Sequence, residues 1–175
     1  MLIWQVVKVI EKIMNFNDVE QKLIDWMINF VEKSNPMLNN WAPCPFARQA
    51  RINNKIEIQH SDIDTLISCV NNSLPLLDYK EVVVVCFDHT QIDATALQEI
   101  VCNLNKRLIE NNYIILEDHP DAVEYINKVH MNFGFCGLLI IQRSDKLADA
   151  SKQLNIKGYY DIWSKEELDS VVSWR

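Results

Sequence analysis

Hydrophobic positions change their spacing twice along the chain. Leu2, Val6, Val7, Ile10, Ile13 and Met14 recur at helical intervals and predict an amphipathic helix. A second stripe, Val19, Leu23, Trp26, Met27 and Phe30, predicts another helix. Asn17 opens it, with Glu20 three residues on, and Asn35-Pro36 stops it, so residues 1–34 form a helical N-terminal segment. Past an irregular stretch at 37–51 the period becomes two, and Lys55-Ile56-Glu57-Ile58-Gln59 reads as a half-buried strand. Ser61 and Asp64 open a helix that ends at Pro75. Val82-Val83-Val84-Val85 is the β-branched run of a strand covered on both faces. Leu97, Ile100, Val101, Leu104 and Leu108 form one side of a long helix over 93–110. Residues 113–116 and 137–142 predict the third and fourth strands. Ser144 opens a helix to Leu154, and Ser164-Lys165-Glu166-Glu167 has the form of a capping box before a C-terminal helix.

This order predicts one α/β domain over residues 1–175, with two extra N-terminal helices and a mixed, mainly parallel sheet of about four strands. Strands joined through helices run parallel by right-handed crossovers. The βαβαββα succession is that of the thioredoxin-like fold, although the redox Cys-x-x-Cys after the first strand is absent.

Composition narrows the function classes. A formal charge of −7 repels phosphate backbones, and no basic patch offsets it, which argues against nucleic acid as a partner. No Gly-rich phosphate cradle occurs among the three glycines. The five cysteines are an odd number without a Cys-x-x-Cys pair, and Cys69, Cys86 and Cys102 lie in apolar surroundings as buried free thiols do, so a reducing, cytoplasmic location is expected. The N-terminus lacks the basic region and cleavage site of a signal peptide, and no stretch approaches the ~20 apolar residues of a membrane span. The polar face of the first helix mixes Lys8 and Lys12 with Glu11, which disfavours membrane-surface binding and leaves packing on the domain or homo-oligomerisation as its role.

Two near-identical strand ends carry the candidate chemistry. One strand ends in Cys86-Phe87-Asp88-His89, another in Leu116-Glu117-Asp118-His119. If both strands run parallel, the pairs leave from the carboxyl edge of the sheet, where open α/β sheets bind ligands. Asp88, His89 and His119 can hold zinc or iron through oxygen and nitrogen, or one His can transfer protons while an Asp orients its ring. The same dipeptides also serve as helix caps and turns. In Trp41-Ala42-Pro43-Cys44-Pro45-Phe46-Ala47-Arg48, Pro45 is placed to begin a helix with Cys44 as its N-cap. The helix end and Arg48 then favour a thiolate. The long connection after the third strand carries Asp121, Glu124, His130 and Asn132, candidates for a lid or pocket wall.

At these residues the chain resembles an uncharacterised domain family of bacterial and plant proteins. Its marks are a Cys-Pro-Phe-Ala motif after an N-terminal helix, a strand ending in His-Pro, an acidic segment leading to an Asn, and a strand ending in Arg. The matching positions are Cys44-Pro45-Phe46-Ala47, His119-Pro120, the Asp121 to Glu124 segment, Asn132 and Arg143. The family has a His where this chain has Ile140, and its His-Pro to Asn segment is longer. The resemblance implies that Cys44, His119, Asn132 and Arg143 gather at one site, without bringing a reaction.

Two readings follow. In the first, a small enzyme uses Cys44, His119, Asp118 and Asp121 on a small anionic substrate held by Arg48, Asn132 and Arg143. In the second, the chain is a non-catalytic interaction or oligomerisation module, the Asp-His pairs are caps and Cys44 is packing.

Overall fold

The computed structural model describes residues 16–173. The helix expected over 2–14, and its role as an oligomer contact, lie outside these residues.

Helix α1 (Phe16–Trp26) continues through a π-helical turn at Met27–Val31. It begins ahead of Asn17, which therefore lies within the helix and does not cap it. Val19, Leu23 and Met27, four residues apart, form its buried stripe. Then follow α2 (Ala47–Ile52), β1 (Ile56–His60), α3 (Leu66–Ser73), β2 (Val82–Phe87), α4 (Ala94–Leu108) and β3 (Tyr113–Asp118). A small hairpin comes next, β4 (Tyr125–Ile126) and β5 (Val129–His130), and then β6 (Gly137–Arg143), α5 (Ser144–Ile156) and α6 (Lys165–Val171). Among the described residues no helix is long and apolar enough to cross a membrane.

The sheet order is β1-β2-β6-β3. β1 and β2 are parallel, whereas β6 runs antiparallel to both β2 and β3. The expectation of a mainly parallel sheet is thus corrected: the sheet is mixed, with one parallel and two antiparallel pairings. The cause is the path of residues 119–136. They fold back on themselves through the β4–β5 hairpin and re-enter at the edge where β3 left, so β6 must run against β3. It slots between β2 and β3.

Alternating side chains build a core on each face. On one, Val83, Val85 and Phe87 of β2, Ile115 of β3, and Leu139 and Ile141 of β6 meet Leu66 and Val70 of α3 and Leu97, Val101, Leu104 and Leu108 of α4. Each such side chain contributes about 1.5–3 kcal/mol on full burial. On the other, Val84, Cys86, Cys136 and Leu138 meet the α1 stripe. A third cluster joins Leu38, Ile126 and Val129 to Trp41, Trp163 and Val171, tying the hairpin to the C-terminal helix. Gly137 opens β6 opposite Phe87. A Cβ there would come within 2.3 Å of the Phe87 ring, so only glycine admits this packing.

Polar side chains pin the joints. Asn105 on α4 is buried, accepts from the Ile115 N–H at 2.9 Å and donates to the Ile115 carbonyl at 2.8 Å, so its amide occupies the outer edge of β3. The expected capping box is present: Ser164 Oγ accepts from the Glu167 N–H at 3.1 Å, and the Glu167 carboxylate accepts from the Ser164 N–H at 2.7 Å. The other Glu167 oxygen accepts from the Asn127 N–H at 2.7 Å, fastening the hairpin turn to α6.

Candidate functional site

The two Asp-His pairs do share one edge. β2 and β3 point the same way because each is antiparallel to β6, which separates them. β6 begins at Gly137, opposite Phe87, and its Leu138 pairs with Asp118, the last residue of β3, so Asp88-His89 and His119 come just past the last paired residues of β2 and β3. The His89 and His119 rings meet edge to face with centroids 5.6 Å apart.

Their surroundings decide what the imidazoles can do. His119 is 1% exposed. Its Nε2 lies 2.9 Å from the Ile92 carbonyl oxygen and 3.3 Å from that of His89. A nitrogen facing two carbonyls must carry the proton and donate. Its Nδ1 accepts from the Asp121 N–H at 3.1 Å. These partners together define the neutral tautomer with the proton on Nε2, and they occupy both nitrogens. The Asp121 carboxylate stands 4.0 Å from Nδ1 but is 78% exposed, so water largely screens it. His89 begins a short 3-10 turn (His89–Gln91) that Asp88 caps. Asp88 Oδ1 accepts from the Thr90 N–H at 3.0 Å and from its hydroxyl at 2.7 Å. Burial alone would raise the Asp88 carboxyl, but the Thr90 and Gln91 donors outweigh it and hold it below its usual range.

Asp118 and Asn132 form a second closed set. Asp118 accepts from Asn132 Nδ2 and from the Phe133 N–H, each at 2.8 Å. Burial still pushes its carboxyl above the usual range, against those two bonds. Asn132, itself buried, also donates to the Ala122 carbonyl at 3.0 Å and accepts from the Glu124 N–H at 2.7 Å. This network staples residues 119–133 to the end of β3. Among the described residues, no group of three or more His, Cys, Asp or Glu side chains is arranged to hold a metal ion. With both His119 nitrogens committed, the zinc or iron set of Asp88, His89 and His119 lacks a ligand at its centre.

The remaining candidates are carried by other elements, and of these His130 still reaches the Asp118 carboxyl electrostatically. Arg143 ends β6 opposite Tyr113, the first residue of β3, whereas Asp118 ends β3. That places Arg143 about 17 Å along the strand from Asp118, at the opposite edge of the sheet. Its guanidinium lies over the Tyr113 ring, 5.1 Å from the centroid. The gathering of Arg143 with His119 that the resemblance implies does not occur. Cys44 is exposed, and its N–H donates to the Val31 carbonyl at 3.0 Å. The neighbouring Pro43 carbonyl accepts from the Tyr159 hydroxyl at 2.6 Å. Helix α2 starts at Ala47 with Phe46 as its N-cap, so Cys44 lies outside the helix and the helix-end argument for a thiolate lapses. Arg48 is an exposed residue of α2. His130 is exposed on the hairpin beside Tyr125.

Three features escaped the sequence. His60, at the end of β1, has a buried Nδ1 with no hydrogen-bond partner among the described residues. The Cys86 and Cys136 thiols meet inside the second core, where their mutual hydrogen bond and burial push the Cys136 thiol up and make it inert. Cys102, expected to be buried, is exposed on α4. The helix phase carries the last of these, since Cys102 follows Val101 and turns out of the Leu97–Val101–Leu104–Leu108 stripe.

No family model matches the chain, no curated protein matches its sequence, and no solved structure matches its fold.

Proposed function

We propose that this chain is a non-catalytic binding module and that the polar cluster at its carboxyl edge is a structural latch. The observation that carries this reading is the commitment of both His119 nitrogens to backbone partners in a buried setting. A proton-transferring or metal-binding imidazole needs one nitrogen directed at a substrate, a water or the metal. Asp118 and Asn132 support the same reading, because their polar atoms are spent on holding the connection that follows β3. The −7 charge argues against nucleic acid, and the odd number of cysteines favours a reducing compartment. The thioredoxin-like succession of elements bears on architecture and carries no reaction.

The enzyme reading, with Cys44 as nucleophile and His119 as its base, is separated by thiol chemistry. In the native full chain, Cys44 should be alkylated no faster than the other exposed thiol, Cys102, and His119→Gln should leave the Cys44 rate unchanged. A Cys44 that reacts about a hundredfold faster, and slows in His119→Gln, would establish the enzyme reading instead.

A further inference from the structure

The two edges of the sheet are treated differently. The Asn105 amide occupies the outer N–H and C=O of Ile115 on β3. β1, at the other end of the strand order, has no such cover among the described residues. Two bonds fix its phase: the Val82 N–H donates to the Lys55 carbonyl, and the Ser61 N–H to the Cys86 carbonyl. In a parallel ladder, alternate residues bond the same neighbour. Residues 55, 57, 59 and 61 therefore face β2, and Ile56, Ile58 and His60 turn their N–H and C=O groups outward. An unpaired edge of this kind is a template for another strand.

Beside that edge lies a groove of about 350 Å³ between α1 and β1, lined by Ile24, Met27, Ile56 and Ile58 together with Glu20 and Glu57. Its one basic lining residue, Arg51, is already held by Glu32 through two bonds, at 2.6 and 2.9 Å. Lys80 pairs with Glu57 at 3.1 Å. Among the lining residues two carboxylates, Glu20 and Glu57, stand against one cation, Arg51; with Arg51 held by Glu32 and Glu57 by Lys80, Glu20 is the lining charge without an ion pair among the described residues. An apolar wall with an acidic rim fits a Lys or Arg side chain, whose methylene stem covers isoleucine and methionine while its head meets a carboxylate.

We propose that the β1 edge and this groove bind an extended basic peptide segment, added as a fifth strand, with a Lys or Arg side chain in the groove against Glu20. The proposal rests on the binding-module reading and names its partner class. Main-chain bonds to Ile56, Ile58 and His60 give affinity, and the groove gives specificity.

The test titrates the ¹⁵N-labelled full chain with two synthetic peptides about eight residues long, alternating threonine with lysine or threonine with glutamate. The lysine peptide should shift residues 56–60 and Glu20, and the glutamate peptide should not. Glu20→Lys, an exposed change that spares the fold, should weaken binding about tenfold. Ile58→Pro removes an outward N–H while leaving the β2 ladder intact and should abolish binding; Glu20→Lys keeps the test readable if that variant does not fold. Equal shifts with both peptides, shifts only elsewhere, or none with either would overturn the proposal. So would a peptide-free dimer that perturbs the same residues, since that assigns the edge to a second copy. Rapid alkylation of Cys44 would sink the binding-module reading without moving these shifts, so the two can fail separately.

Discussion

His119 and His60 both stand at the carboxyl edge of the sheet, in opposite circumstances. His119 is satisfied on both nitrogens, and removing it takes from the Ile92 carbonyl and the Asp121 N–H the partner each has there, while the His89 carbonyl keeps the Ile92 N–H. His119→Ala should cost about 3 kcal/mol of stability, read from urea unfolding. His60 keeps a buried Nδ1 unpartnered among the described residues and touches the Phe16 ring, with centroids 4.4 Å apart. Burial lowers the His60 pKa, against the pull of Glu20. A histidine that is less basic when folded binds fewer protons in the native state. Its full contribution is therefore present above the ordinary histidine value and falls away as the pH drops from there through the depressed one. His60→Phe removes both the unsatisfied nitrogen and this acid-side loss. It should raise stability by about 1 kcal/mol at about pH 7 and by more at about pH 5, measured as urea midpoints. An equal gain at both pH values would show that the imidazole is not the source.

At the scale of elements, the hairpin and the C-terminal helix act as one unit through Glu167. Its carboxyl is held below the usual range by the Asn127 and Ser164 N–H groups. A depressed carboxylate stabilises above its unfolded value and loses that contribution as the pH falls through the folded one. Glu167→Ala should cost about 1–2 kcal/mol near neutral pH, and amide hydrogen exchange should quicken at both Asn127 and α6. Exchange confined to α6 would contradict the coupling. At the start of β6, Gly137→Ala should cost about 2–3 kcal/mol by forcing the Phe87 ring aside, and Phe87→Leu in the same chain should recover part of it. The four long strands were legible because β-branched runs and alternation mark them. The hairpin was not: its strands are two residues long, and its turn places Asn127 and Lys128 at positive φ without the Asn-Gly signal. The cap lies two residues beyond Cys44, at Phe46, because Pro45 marks a helix start well but does not fix which residue caps it.

For the whole molecule, the shared edge of the two Asp-His pairs was readable from the sequence, because both strands are followed by the same dipeptide and run in one direction. The strand order was not. It depends on how residues 119–136 return, which the Asp118–Asn132 staple determines through backbone partners that no motif encodes. The same holds for the role of His119: its partners are carbonyls and an N–H, invisible in a list of side chains. The edge contrast between a plugged β3 and an open β1 likewise emerges only once β6 is known to lie between β2 and β3. On the function proposed above, His119 latches the fold and performs no chemistry. A long-range ¹H–¹⁵N spectrum of the imidazole nitrogens in the full chain at neutral pH tests it most directly. The latch predicts a single tautomer, a slowly exchanging proton on His119 Nε2 and no change when Zn²⁺ is added. A proton on Nδ1, fast exchange with water, or a shift on adding Zn²⁺ would contradict it.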